Sequence, residues 1–103
     1  MAQSSSQSSV TIGATSVQAV PDRSGILKRT QLIITNTSAA VVATITKGNV
    51  AAVAGTGIVL QANGTYVEST DGGYTCWQGA VQVVGSGAGT ISVVESFDDY
   101  ARR

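Results

Sequence analysis

An all-β chain, folded as an antiparallel, jelly-roll-like β-sandwich of about eight short strands, is what this sequence predicts. Short β-branched runs recur along its length. Turn chemistry from Gly, Asn, Ser and Pro falls between them at the spacing of a sandwich or barrel. No stretch keeps a helical period, because Gly and β-branched residues are too frequent for one. With 103 residues the chain makes one domain, large enough for a single sandwich core and too small for two.

Residues 1–9 form a Ser/Gln tract that buries too little apolar surface to offset its ordering entropy, so it is expected to be a flexible arm. The sandwich is expected over 10–97. It opens with Val10, Ile12 and Ala14 alternating with Thr11, Gly13 and Thr15, and 17–20 continues with a change of face, as at a bulge. Pro21 to Gly25 carries turn residues. The clearest strand is 27–37, where Leu32 and Ile34 point to one face and Ile33 and Thr35 to the other. An isoleucine on the second face predicts that neither side is simply wet. Asn36, Thr37 and Ser38 supply a turn, and 41–46 is read as a strand running back, which makes a hairpin.

After a turn at Lys47, Gly48 and Asn49, the small apolar run 50–54 fits either a short strand or an inner loop. Gly55, Thr56 and Gly57 lead into the strand 58–60. The Asn63, Gly64 pair predicts a type I′ hairpin turn before Tyr66, Val67 and Glu68. Asp71, Gly72 and Gly73 break that strand. The long run 75–84 offers Cys76, Trp77, Val81 and Val83 for burial. The glycine-rich 85–89 is read as a hairpin connection to 90–97, where Ile91, Val93 and Phe97 share one parity. The tail, 98–103, forms a single helical turn or extends. A core of Val, Ile, Leu and Ala with few aromatics predicts closely stacked sheets and no roomy ligand cavity.

Six basic and six acidic residues give no net charge, so the chain has no electrostatic footprint for nucleic acid or an anionic membrane. No apolar run approaches the roughly 20 residues of a transmembrane helix. The opening residues lack the basic and apolar regions of a secretory signal. Two Asn-x-Ser/Thr triplets, at Asn36 and Asn63, are read as turns. Only 12% of residues are charged, about half the roughly 25% usual for soluble domains. The surface is therefore Ser, Thr, Gln, Asn and Gly, which resists self-contact poorly and suits a protein held in an assembly.

Catalytic chemistry finds little to stand on. There is no histidine, which removes the Ser-His-Asp and Cys-His arrangements, and one cysteine, which removes any intrachain disulfide. Cys76 has no evident base and is expected as a small buried hydrophobe. Glu68, Asp71, Glu95, Asp98 and Asp99 are material for a glycosidase pair, and Asp98 and Asp99 with Asp71 for a calcium site, but nothing sets them in a cleft or at cage spacing; they are expected as solvated loop charges. The 85–89 glycines precede a strand rather than the helix a phosphate loop needs. No enzyme activity, cofactor or metal is expected. The basic residues Arg23, Lys28 and Arg29 are expected to be solvated, paired, or set at a subunit boundary against Asp98 and Asp99 of a neighbour. Trp77 is expected as a core plug. Tyr74 and Tyr100, expected to be partly exposed, complete the interface candidates.

Over 27–97 the pattern resembles a loosely related group of small bacteriophage virion proteins. The residues that carry the resemblance are Leu32, Ile33, Ile34, Thr35, Asn36, Thr37 and Ser38; Gly57, Ile58, Val59 and Leu60; Asn63, Gly64, Thr65 and Tyr66; Gly79, Ala80 and Val81; and Val93, Val94 and Glu95. The resemblance implies a capsid decoration (cement), head-fibre or adaptor component, with no catalytic residues to carry over. The expectation is a structural virion protein, made in the host cytoplasm and bound to the exterior of the assembled capsid. Its partner is then the major capsid protein and its own state a homotrimer, with the arm ordered by the partner. The alternative is a receptor- or carbohydrate-binding module at a fibre tip, with Tyr66, Tyr74 and Trp77 as a stacking platform.

Overall fold

In the computed structural model, which describes residues 3–23, 28–70 and 75–98, eight strands form two antiparallel sheets. They are β1 (Gln3–Ile12), β2 (Val17–Val20), β3 (Lys28–Asn36), β4 (Ala43–Lys47), β5 (Ile58–Leu60), β6 (Thr65–Ser69), β7 (Val81–Gly85) and β8 (Gly89–Asp98). The first sheet has the order β1-β8-β3-β6 and the second β2-β7-β4-β5. The pairs β1·β8, β2·β7, β3·β6 and β4·β5 are what results when one long antiparallel ribbon, doubled back between β4 and β5, is rolled up. Ladders between β3 and β8 and between β4 and β7 zip each sheet closed across its centre. This is the double Greek-key path of a jelly roll.

Every connection except β4–β5 passes from one sheet to the other. The turns read as hairpins after Asn36, at Asn63 and Gly64, and over 85–89 are therefore crossings between sheets. Alternation says which side chains face inward, but the same Asn/Gly/Ser chemistry serves a hairpin and a crossing equally. At the 61–64 turn the Gly64 amide donates to the Gln61 carbonyl at 2.8 Å, and Asn63 holds the left-handed φ of 66°. A left-handed third residue is the type II pattern, not type I′.

Asn36 pins two of these crossings together and is fully buried. Its side-chain amide donates to the Val41 carbonyl at 2.7 Å and the Leu60 carbonyl at 3.0 Å, and its Oδ1 accepts from the Ser38 amide at 3.0 Å. The main chain adds bonds from the Asn36 amide to Gly64 and from the Asn63 amide to Asn36.

Between the sheets lie Leu32, Ile34, Ile45, Val83, Ile91 and Val93, each worth about 1.5–3 kcal/mol when removed from water. Cys76 joins them at 1% exposure, as expected. Residues 50–54 form no strand. They fold over the outer face of the second sheet, where the Gly55 amide reaches Thr44 Oγ1 at 3.0 Å and the Ala52 amide reaches Ser16 Oγ at 2.9 Å. Gly57 permits the approach: its φ is 134°, and a Cβ there would stand 2.7 Å from the Ile45 carbonyl oxygen.

The arm expected over 1–9 is a strand as far as it is described. Residues from Gln3 onward pair in register with β8, from Gln3 opposite Asp98 to Ile12 opposite Gly89. Composition weighs only what side chains can bury. Here the β8 edge supplies the main-chain partners and holds a tract whose own side chains, from Ser4 to Ser9, are all exposed. The helical-turn reading of the tail lies outside the described residues beyond Asp98.

Candidate functional site

Strand parity gives the first sheet two different faces. On β8, Ile91, Val93, Glu95 and Phe97 point inward, while Ser92, Val94 and Ser96 point out. The registers then align three rows across the outer face. One is Ser5, Ser96, Gln31 and Ser69; the next is Gln7, Val94, Ile33 and Val67; the third is Ser9, Ser92, Thr35 and Thr65. The apolar Val94, Ile33 and Val67, the last at 55% exposure, thus run between two hydroxyl-rich rows with no charged residue in any of the three, while the next row along the sheet is Gln3, Asp98 and Lys28. Along the first row a groove of about 620 Å³ is lined by Ser4, Ser5, Thr30, Gln31, Ser69, Thr70 and Ser96. Thr30 sits where the β3–β8 register shifts, and its hydroxyl donates to the Ser96 carbonyl at 3.3 Å. Each lining side chain is a hydroxyl or an amide. The groove can exchange hydrogen bonds with a neutral partner, and it holds no group that titrates near neutral pH.

Behind this face the charges are internal. Leu32 pairs with Glu68 on one side and Glu95 on the other, so both carboxylates share its inward face, at 6% and 3% exposure. These were expected as solvated loop charges. Strand parity turns them inward, and cations distant in sequence meet them there. Arg29 Nε donates to Glu95 Oε2 at 2.8 Å, and Arg23 Nη2 to Oε1 at 3.0 Å. The rest of the Arg29 fork donates to main-chain carbonyls, Nη1 to Trp77 at 2.6 Å and Gly79 at 3.2 Å, and Nη2 to Pro21 at 2.9 Å. Planar, with five donors, arginine is the one side chain that can satisfy a carboxylate and three carbonyls together.

Glu68 is held by Lys47 Nζ at 3.0 Å, by a short hydrogen bond from the Tyr66 hydroxyl, and by the Trp77 amide at 2.8 Å. Burial alone would lower the Lys47 pKa, but the bonds to Glu68 and Tyr66 outweigh it and hold the ammonium well above the usual lysine range. Burial, then the bond to Glu68, raises Tyr66. Burial, then the charge on Glu68, pushes the Cys76 thiol up, away from the reactive thiolate. Among the described residues no buried side-chain nitrogen or oxygen lacks a hydrogen-bond partner, and no group of three or more His, Cys, Asp or Glu converges as a metal site would need.

The interface candidates scatter. Arg29, expected solvated, paired or at a subunit boundary, is fully buried within its own chain and paired, because its side chain is turned inward under the 75–80 segment. Arg23 is half-buried, spent on Glu95 and lying 5.2 Å over the Phe97 ring. Lys28 is exposed at the start of β3, in register with Asp98. The side chain of Asp98, and all of Tyr74, Asp99 and Tyr100, lie outside the described residues. Trp77, expected as a core plug, packs against the core only in part; its indole N–H donates to Ala80 at 3.0 Å, and its ring lies close over Gly79. Tyr66 and Trp77 flank Lys47, at 6.0 and 5.7 Å from its ammonium, with their polar atoms turned to internal partners. The uncharged three-row face was missed because it is a product of register; only the parity of Ile33 hinted at it. Compared with known proteins, the chain matches no family model and no curated protein.

Proposed function

We propose that the chain is a structural virion protein, made in the host cytoplasm, that binds the exterior of an assembled phage capsid as a homotrimer and clamps neighbouring shell subunits of the major capsid protein. The observation that carries the reading is the trio of uncharged rows on the outer face of the β1-β8-β3-β6 sheet, on a molecule that turns Arg29, Glu68 and Glu95 inward. Such a face docks without stripping water from ions, and three linked copies multiply individually modest contacts. The jelly roll is a frequent scaffold of shell proteins and lectins, an analogy that lends the reading weight but does not carry it.

The test is add-back of purified protein to particles of the encoding phage from which it has been stripped. Val67→Lys places a charge in the middle of the apolar band at an exposed site, where stability should change by less than about 0.5 kcal/mol. Native protein should rebind and raise the particles' heat resistance, and the variant should not. Equal occupancy by the two would sink the reading. The hydroxyl-lined groove favours a second reading, a carbohydrate-binding module. In that case Gln31→Ala would abolish retention on host-surface polysaccharide while Val67→Lys left particle binding unaffected.

A further inference from the structure

We infer that β1 is an exchangeable strand: the slot along β8 that residues 3–9 fill within one copy also accepts those residues from a second copy of the chain. Three observations meet here. From Ser4 to Ser9 every β1 side chain is exposed, so the tract is held on β8 by its main-chain ladder alone. Its base is anchored: Ile12 is buried at 2% exposure, Val10 packs against the core, and the Gly13 carbonyl accepts from the Gly85 amide at 2.8 Å. Finally, β1 is an edge strand, and from Gln3 to Ile12 it carries none of the charges or prolines by which edges are usually protected.

Opening therefore stops near Val10 and costs no burial of the tract's own side chains. Residues 3–9, released, span about 23 Å when extended, enough to cross to a neighbour. The second copy's β8 offers the same partners in the same register, so the closed and exchanged forms share one ladder. The balance between them is set by effective concentration, and holding copies together in an oligomer tips it towards exchange. The occupant is a second copy because the only sequence seen to fit the slot is the chain's own.

The inference rests on the proposed oligomer but not on capsid binding. Single-cysteine variants in a Cys76→Ala background are mixed pairwise under mild oxidation. Ser5 faces Ser96 and Ser9 faces Ser92, so Ser5→Cys with Ser96→Cys and Ser9→Cys with Ser92→Cys are in register, while the crossed pairs are not. Each variant is first checked for native β-sheet circular dichroism, and the two in-register pairs stand in for one another should one variant misfold. Exchange predicts mixed disulfide dimers several-fold more abundant from the in-register pairs than from the crossed ones, and their loss when Ser6→Pro removes an amide donor from the tract. Equal yields from all four pairings overturn it. So does strong self-linking of a Gln7→Cys variant with no in-register excess, since that would mark edge-to-edge addition of two β1 strands. Failure here with intact add-back removes only the exchange; successful exchange with failed add-back removes only the capsid role.

Discussion

Replacing Arg29 with methionine keeps an unbranched apolar stem and deletes the fork. Glu95 then retains only Arg23, whose side chain is 32% exposed, and the carbonyls of Pro21, Trp77 and Gly79 lose their donor inside the protein. Removing one member of a buried pair costs about 3–5 kcal/mol. Each orphaned carbonyl is worth about 1–3 kcal/mol by itself, but these losses overlap with the pair and do not simply add. Against a total stability of about 5–15 kcal/mol, a loss of 3–5 lowers Tm by roughly 12–40 °C for a domain this size. Urea unfolding followed by far-ultraviolet circular dichroism and Trp77 emission measures it, with an unchanged m-value confirming the same unfolding reaction. Arg23→Met is the internal control and should cost under about 1 kcal/mol, as a partly exposed pair does.

The double variant Arg29→Met/Glu95→Leu sharpens the point. An ordinary buried ion pair can be exchanged for hydrocarbon at little cost or with a gain. Here the main-chain carbonyls would still be stranded and Arg23 would lose its carboxylate, so stability should stay at least about 2 kcal/mol below the parent. The reasoning fails if Arg29→Met costs less than about 1 kcal/mol, or if the double variant matches the parent.

Two further outcomes follow from neighbouring sites. Lys47, Tyr66 and Cys76 all have folded-state pKa values above their ordinary ones, so the stability they contribute is complete below their unfolded values and is lost as pH rises through the folded ones. The urea midpoint should hold from neutral pH to about 8.5 and fall above about pH 9, less steeply in Tyr66→Phe; a midpoint flat to about pH 11 contradicts the cluster. Asn36→Ala strands the Val41 and Leu60 carbonyls and the Ser38 amide at the crossing between sheets, and should cost about 2–4 kcal/mol by thermal unfolding. Asn36→Asp should be no better, since a carboxylate cannot donate to either carbonyl.

Alternation made the inward side of most strands legible. Leu32 with Ile34, Val81 with Val83, and Ile91 with Val93 are buried as their parity predicts, because one buried face imposes a period of two on any strand. Strand partnership was not legible. In a rolled ribbon the neighbour of β3 is β8, and no local signal in Asn36, Thr37 and Ser38 separates a crossing from a hairpin. The carboxylates failed for the same reason. Parity with Ile91, Val93 and Phe97 already placed Glu95 inward, whereas beside Glu68 the apolar Val67 pointed the other way; a glutamate is turned outward by default until a cation is known to wait for it, and Lys47 and Arg29 lie far away in sequence. The Ser/Gln tract failed differently: a main-chain ladder can hold a strand that buries no side chain, and composition carries no record of main-chain partners.

The internal charges bear directly on how the surface behaves. With only six basic and six acidic residues, the chain commits Arg23, Arg29, Lys47, Glu68 and Glu95 to two clusters, and fewer charges remain for the exterior than the composition already implied. Long-range repulsion between copies is then weak, which lowers the barrier to close approach. Close approach alone gives no specificity, because hydroxyls and methyls are undemanding partners. Specificity has to come from geometry that repeats identically in every copy, and the β8 ladder supplies it as a fixed register of ten paired positions from Gln3–Asp98 to Ile12–Gly89. A neutral face that permits contact, joined to a strand that sets its register, is what the inferred exchange between copies needs, and it calls on no ion pair between them.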